Sequence, residues 1–252
     1  MVRCARALLL LMFLLMAGSI GARADTVLIA VAANFAEPVK RLGAAFATET
    51  GHSLRISTGS TGALVAQIRN GAPFALLLAA DEERPVQLEA EGLTVAGTRF
   101  TYAVGRLVLW GPDPRWLAVE PTAALTDPSL RHLAIANPRV APYGRAAQET
   151  LASLGVREAV EPKLVRGENI AQTFQFVVSG NAELGFVALS QVLDRSGSRW
   201  EVPQDLYAPI RQQAVLLEPG KENAAAKGFL EFLRSQAARE IIRAAGYGVE
   251  ES

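Results

Sequence analysis

The chain has 252 residues, half of them hydrophobic, with 25 basic and 25 acidic side chains, two histidines and one cysteine. One cysteine excludes a disulfide framework, and the scarcity of His and Cys leaves no zinc-ligand cluster, no H-E-x-x-H and no D-x-D-x-D-G loop.

Residues 1–24 read as a secretory leader. Arg3 and Arg6 precede an unbroken apolar run over 8–17, and "ARA" at 22–24 offers small residues for cleavage after Ala24. Ten apolar residues are too few to span a bilayer. Cys4 precedes the apolar run, so it is not placed for lipidation, and the mature chain holds no thiol. Removing the leader takes away three arginines and leaves 22 basic against 25 acidic residues, a net charge of −3. A mildly acidic protein of 228 residues argues against nucleic acid or anionic lipid as a partner, and is long enough for one large or two modest domains.

From Thr26 onward, short apolar runs alternate with amphipathic ones. "TVLIAVA" (26–32) predicts a buried strand, and Phe35, Val39, Leu42 and Phe46 recur at helical spacing over 35–50. Strands follow at 53–57 and 74–80, with helices carrying Leu64, Val65 and Ile68 and then spanning 84–92. The stretch 99–114 is β-rich and breaks the rhythm. A second set comprises strands at 132–138, 163–165 and 184–189 with helices at 144–154 and 169–180. A strand at 212–220 and a helical C-terminus over 224–246 complete the chain. Such alternation implies α/β architecture with parallel, doubly wound sheets. We expect two doubly wound lobes joined by a hinge, the first from 25–105 and 217–252 and the second from 106–216, with a ligand cleft between them.

Four loops share one design, each leaving a strand and opening a helix: "ANFAEP" (33–38), "TGSTGA" (58–63), "APYGRA" (141–146) and "RGENIA" (166–171). Helix starts present unpaired N–H groups and the positive end of the helix dipole, about half a charge each. Four converging starts would total about +2, enough to match a dianion without Lys or Arg. Asn34 with Glu37 reads as a capping box. Ser60 and Thr61 read either as caps or as hydroxyl donors, with Gly62 allowing close approach. Tyr143 reads as a packed loop aromatic or a phenol donor, and Ile170 as a backbone donor whose side chain is core.

Enzymatic patterns fit poorly. "TGSTG" has Thr58 where a nucleophile elbow needs Gly, and no G-K-[S/T] follows. His52 and His132 read as strand-edge or surface residues, and "DEER" (81–84) as a solvated helix start.

Three segments, "AVAANFAEPVKRLGAAFATETGH", "STGSTGALVAQIRNGAPFALLLAADEERPVQLEAEG" and "AKGFLEFLRSQAAREIIRAAGYG", together resemble the periplasmic molybdate-binding proteins of ABC importers. The likeness extends over about residues 25–248. It implies a type II periplasmic binding protein with no enzymatic activity and no cofactor. Its ligand would be molybdate or tungstate, and its partners a permease and its ATPase at the inner membrane. It would be a periplasmic monomer. The resemblance places the oxyanion contacts on Asn34 with Ala33 beside it, on Ser60 or Thr61, on Tyr143, and on the N–H of Ile170. "GFVAL" has Ala188 where many members carry Tyr, as in the subset with Asn in the first loop and Tyr in the third. Glu37 and Glu168 are the only acidic residues in these four loops. A carrier of sulfate or another tetrahedral oxyanion, an oxyanion-sensing module, and a hydrolase built on Ser60 are the competing readings.

Overall fold

The computed structural model describes residues 25–250. The leader and its cleavage point lie outside the described residues. The first run of elements is β1 (Thr26–Ala32), α1 (Ala36–Thr50), β2 (Ser53–Gly59), α2 (Thr61–Arg69), β3 (Leu76–Leu78), α3 (Glu83–Ala90) and β4 (Phe100–Gly105). The second is β5 (Leu107–Gly111), α4 (Pro121–Thr126), β6 (Leu133–Ala136), α5 (Pro142–Ser153), α6 (Arg157–Val160), β7 (Leu164–Gly167), α7 (Ile170–Val178), β8 (Leu184–Ala188) and β9 (Ser198–Glu201). The chain then returns through β10 (Ile210–Leu216), α8 (Ala224–Phe232) and α9 (Gln236–Ala244).

Two five-stranded sheets result, ordered β2-β1-β3-β10-β4 and β7-β6-β8-β5-β9. Both are covered on their two faces, so successive residues of one strand feed opposite cores. Val27, Ile29 and Val31 pack with Phe46 and Phe229, whereas Ala30 packs with Leu64, Leu77 and Leu88. In the second sheet Leu109, Ile135 and Phe186 face Leu151, while Val108, Ala134 and Val187 face Val177.

The architecture is the expected pair of α/β lobes, but the sheets are mixed rather than parallel. β1 runs parallel to β2 and β3, and β6 parallel to β7 and β8. β10 is antiparallel to β3 and β4, and β5 is antiparallel to β8 and β9. This also corrects the division of the chain. Residues 210–216, assigned above to the second lobe, form a strand of the first sheet between β3 and β4. An apolar run announces a strand, but its partners are set by packing with segments far away in sequence. The chain therefore crosses at Gly105–Leu107 and again between β9 and β10.

The helical C-terminus consists of two helices, α8 and α9. Ser235 interrupts it, its side chain accepting the Ala238 N–H at 3.2 Å to cap α9. Beyond α9, Gly248 pairs antiparallel with Val104 on the edge of the first sheet.

Candidate anion-binding site between the lobes

The four loops leave the carboxyl ends of β1, β2, β6 and β7. The first forms a tight turn, Ala33–Phe35, leading into α1. The others open α2, α5 and α7 behind Ser60, Ala141 and Asn169. All four tips meet in one small cavity. Ala33, Asn34, Ser60 and Thr61 line it from the first lobe and Tyr143 and Ile170 from the second, so every sequence-predicted site residue is brought together. All six are buried, and among the described residues those lining this cavity carry no charge.

The donors come from helix geometry. The first N–H groups of a helix have no acceptor within it. Thr61 and Ile170 are first in α2 and α7, and Tyr143 is second in α5 behind Pro142, which has no N–H. The Gly62 N–H is used differently: it reaches across the cleft to the Val140 carbonyl at 2.9 Å. A Cβ at position 62 would lie 3.0 Å from the Val140 Cα, so glycine permits this lobe-to-lobe approach.

The side chains differ from expectation in several places. Asn34 is not a cap: its amide donates to Gln212 Oε1 at 2.9 Å and to the Tyr247 hydroxyl at 3.1 Å. Glu37 is exposed and pairs with Lys40 at 2.5 Å, so no capping box forms. The tight turn ahead of α1 places Asn34 one residue too early for that role. Ser60 sits at the N-cap of α2 but makes no side-chain cap bond, whereas Thr61 Oγ1 accepts the Ala80 N–H at 3.0 Å. Asn169 is the one true cap of the four, accepting from the Ala171 and Gln172 N–H groups at 3.0 Å. Glu168 is exposed, and Ala188 is buried away from the cavity lining. His52 accepts the Asp25 N–H and the His132 N–H donates to Glu183, both away from the cavity.

A family model described as bacterial extracellular solute-binding protein matches residues 27–248. "Molybdate-binding protein ModA" of Azotobacter vinelandii is 52% identical over 91% of this chain and 92% of its own length. That of Rhodobacter capsulatus is 50% identical over 94% of each. The solved structure of an Azotobacter vinelandii periplasmic molybdate-binding protein matches at a TM-score of 0.86 and 38% identity, covering 89% of this chain and all of that one. The chain belongs to the periplasmic molybdate-binding protein family.

In this family member a neutral polar cluster lies against the cavity, and sequence reading missed most of it. Gln212 on β10 accepts from Asn34 and from the Tyr102 hydroxyl at 3.0 Å, and its amide donates to the Tyr143 hydroxyl at 3.4 Å. Gly105, at the first crossing, leaves room for this: a Cβ there would collide with the Tyr143 hydroxyl. Tyr247, from the C-terminal tail, donates to the Asn34 carbonyl at 2.7 Å. Burial pushes the Tyr102 and Tyr143 phenols well above the ordinary tyrosine value and Tyr247 up to about 12. All three remain neutral donors.

The mouth of the cleft is charged instead. Arg145, on α5 of the second lobe, pairs with Glu83 at 2.8 Å and approaches Asp81 at 3.5 Å on the first. Asp81 also pairs with Arg84, whose guanidinium donates to the Arg139 carbonyl across the cleft at 3.1 Å. "DEER" is thus not simply a solvated helix start: Asp81 is buried, held there by cations that lie on both lobes. The hydrogen bond from Arg145 holds the Glu83 carboxyl below its ordinary range. Among the described residues no group of His, Cys, Asp and Glu forms a metal-ion site, and no helix is long and apolar enough to cross a membrane.

Proposed function

We propose that this chain is the soluble binding component of an ABC importer, taking molybdate, or equally tungstate, between its lobes and delivering it to a membrane permease driven by an ATPase. It acts as a periplasmic monomer after loss of residues 1–24, and it performs no catalysis and needs no cofactor. The observation carrying this reading is the convergence of four loop tips, two from each lobe, on one small uncharged cavity. Molybdate and tungstate are tetrahedral dianions that only accept hydrogen bonds, and such a lining offers donors in several directions. Hydrogen phosphate brings a proton that needs an acceptor, and leaving it unmatched costs about 1–3 kcal/mol.

Within this reading Ser60, whose side chain makes no cap bond, gives a hydroxyl, and Thr61 gives its N–H; the Thr61 oxygen accepts from Ala80, which leaves the Thr61 hydroxyl proton free as a further donor. Asn34, Tyr143 and Ile170 give N–H groups, with Ala33 beside them. Asn34 and Tyr143 fit the subset of the family described above. Binding rather than hydrolysis is supported by the surroundings of Ser60, where the cavity lining supplies no His or carboxylate to act as a base. Calorimetry of the mature protein with molybdate, tungstate, sulfate and phosphate tests the proposal. Tight binding of the first two, with phosphate rejected, is expected; no submicromolar binding of any oxyanion would end it.

A further inference from the structure

Tyr247 lies in none of the four loops, yet its phenol ties the first loop to the second lobe. Besides donating to the Asn34 carbonyl at 2.7 Å, it accepts from the Asn34 amide at 3.1 Å and sits 2.9 Å from Ser190 Oγ. Ser190 belongs to the turn Leu189–Gln191 that follows β8 in the second lobe, and it reaches the Asn34 carbonyl itself at 3.3 Å. A phenol has one proton and two acceptor sites. Here the proton is used on the Asn34 carbonyl, and the phenol oxygen is approached by the Asn34 amide, the Ser190 hydroxyl and the Tyr143 hydroxyl, the last two from the second lobe. The tail is fixed independently of these bonds. Gly248 exchanges two backbone hydrogen bonds with Val104, at 2.7 and 2.9 Å, and the Tyr247 ring packs edge-on against Phe35 with centroids 5.2 Å apart.

We propose that Tyr247 is a positioning residue for oxyanion binding that holds Asn34 toward the cavity, and that Ser190, beside Tyr143 of the same lobe, makes this hold complete only when the lobes are closed. With both amide hydrogens of Asn34 engaged by Gln212 and Tyr247, the residue meets the ligand through its backbone N–H, and its side chain serves as the handle by which that N–H is aimed. Opening the lobes withdraws Ser190 and loosens the handle. Ligand release is therefore coupled to a bond that does not touch the ligand. This inference rests on the oxyanion-binding reading of the same site.

The test compares the mature wild type with Tyr247→Phe, Ser190→Ala and the double variant, measuring molybdate affinity by calorimetry and on- and off-rates by stopped-flow fluorescence. Phenylalanine keeps the ring against Phe35, and Ser190→Ala alters only the second lobe. Each single variant should weaken binding about tenfold, the effect of one lost hydrogen bond in a buried site. The loss should appear as faster dissociation; the ligand-free melting temperature should be unchanged in Ser190→Ala and lowered in Tyr247→Phe, which also leaves the buried Asn34 carbonyl without its Tyr247 donor. The double variant should be little worse than either single one, because both cut the same link. Unchanged affinity in the variants, additive losses, or a slower on-rate accompanied by a lower ligand-free melting temperature in Ser190→Ala would each overturn the proposal. A wild type that binds no molybdate would overturn both it and the reading of the site; normal wild-type binding with unaffected variants would overturn this proposal alone. Should Tyr247→Phe not fold, Ser190→Ala decides by the same off-rate criterion.

Discussion

Two regions join the lobes, and they do so by opposite chemistry. Against the cavity, Asn34, Gln212, Tyr102, Tyr143, Tyr247 and Ser190 interact through neutral amides and hydroxyls that are mostly buried. At the mouth, Arg145, Glu83, Asp81 and Arg84 interact through charges, with Arg145 and Glu83 partly in water. The difference follows from what each region must tolerate. A dianion held by backbone dipoles is destabilised by a nearby carboxylate and does not need an arginine, so ionised groups stay at the mouth. Buried neutral bonds keep their strength in salt, whereas exposed ion pairs are worth only about 0–1 kcal/mol and are screened.

Placing a charge in the wrong region should break this contrast most severely. Ser60→Asp puts a carboxylate against the ligand, a repulsion of several kcal/mol, and should weaken molybdate binding about a thousandfold or more in calorimetry while the circular dichroism spectrum stays the same. Ser60→Ala and Thr61→Val then separate donor from scaffold. The first should cost about tenfold in affinity with little change in melting temperature. The second leaves the buried Ala80 N–H without its acceptor and should remove about 1–3 kcal/mol of stability in denaturant unfolding. Removing a charge from the mouth is milder. Arg145→Gln should reduce affinity about two- to fivefold at low salt, and the difference from wild type should vanish near 1 M salt. In Tyr247→Phe, by contrast, the loss should persist at high salt.

The smallest expected effect is that of pH. A group whose folded pKa is raised contributes fully below its unfolded value and is lost as pH rises through the folded one. The raised phenols therefore keep their contribution up to the ordinary tyrosine value near 10, and Tyr247 loses it only as pH rises to about 12. Glu83 is the reverse case. Its depressed carboxyl contributes above the usual glutamate range and loses that contribution as pH falls through its folded value. Molybdate affinity should thus be flat between about pH 6 and 9, and a titration showing a step in that window would mean that an unrecognised group titrates at the site.

The loops were legible because their signals are local. A strand, a short stretch with Ser, Thr, Gly or Pro, and a helix can each be read within a dozen residues, and the parallel strands β1, β2, β6 and β7 then aim all four tips at one cleft. Gln212, Tyr247 and Ser190 carried no such mark. Asn34 is 178 residues from Gln212 and 213 from Tyr247, distances over which no periodicity speaks. One trace existed in retrospect: "QQ" at 212–213 leads directly into the apolar run 214–217, and a buried amide needs partners. The burial of Asp81 was hidden for the same reason, since Arg145 becomes its neighbour only once the lobes meet.

The antiparallel β10 also bears on how the protein comes into being. Its partners β3 and β4 wait with unsatisfied edges until residues 210–216 have been made, and the core beneath β1 waits longer still for Phe229 and Ile242. The lobe that begins first is thus the one that finishes last. Contacts so distant in sequence slow folding, and a chain truncated before Ile210 lacks the strand that completes its first sheet. Such a delay leaves the first sheet open until nearly all of the chain has been synthesised.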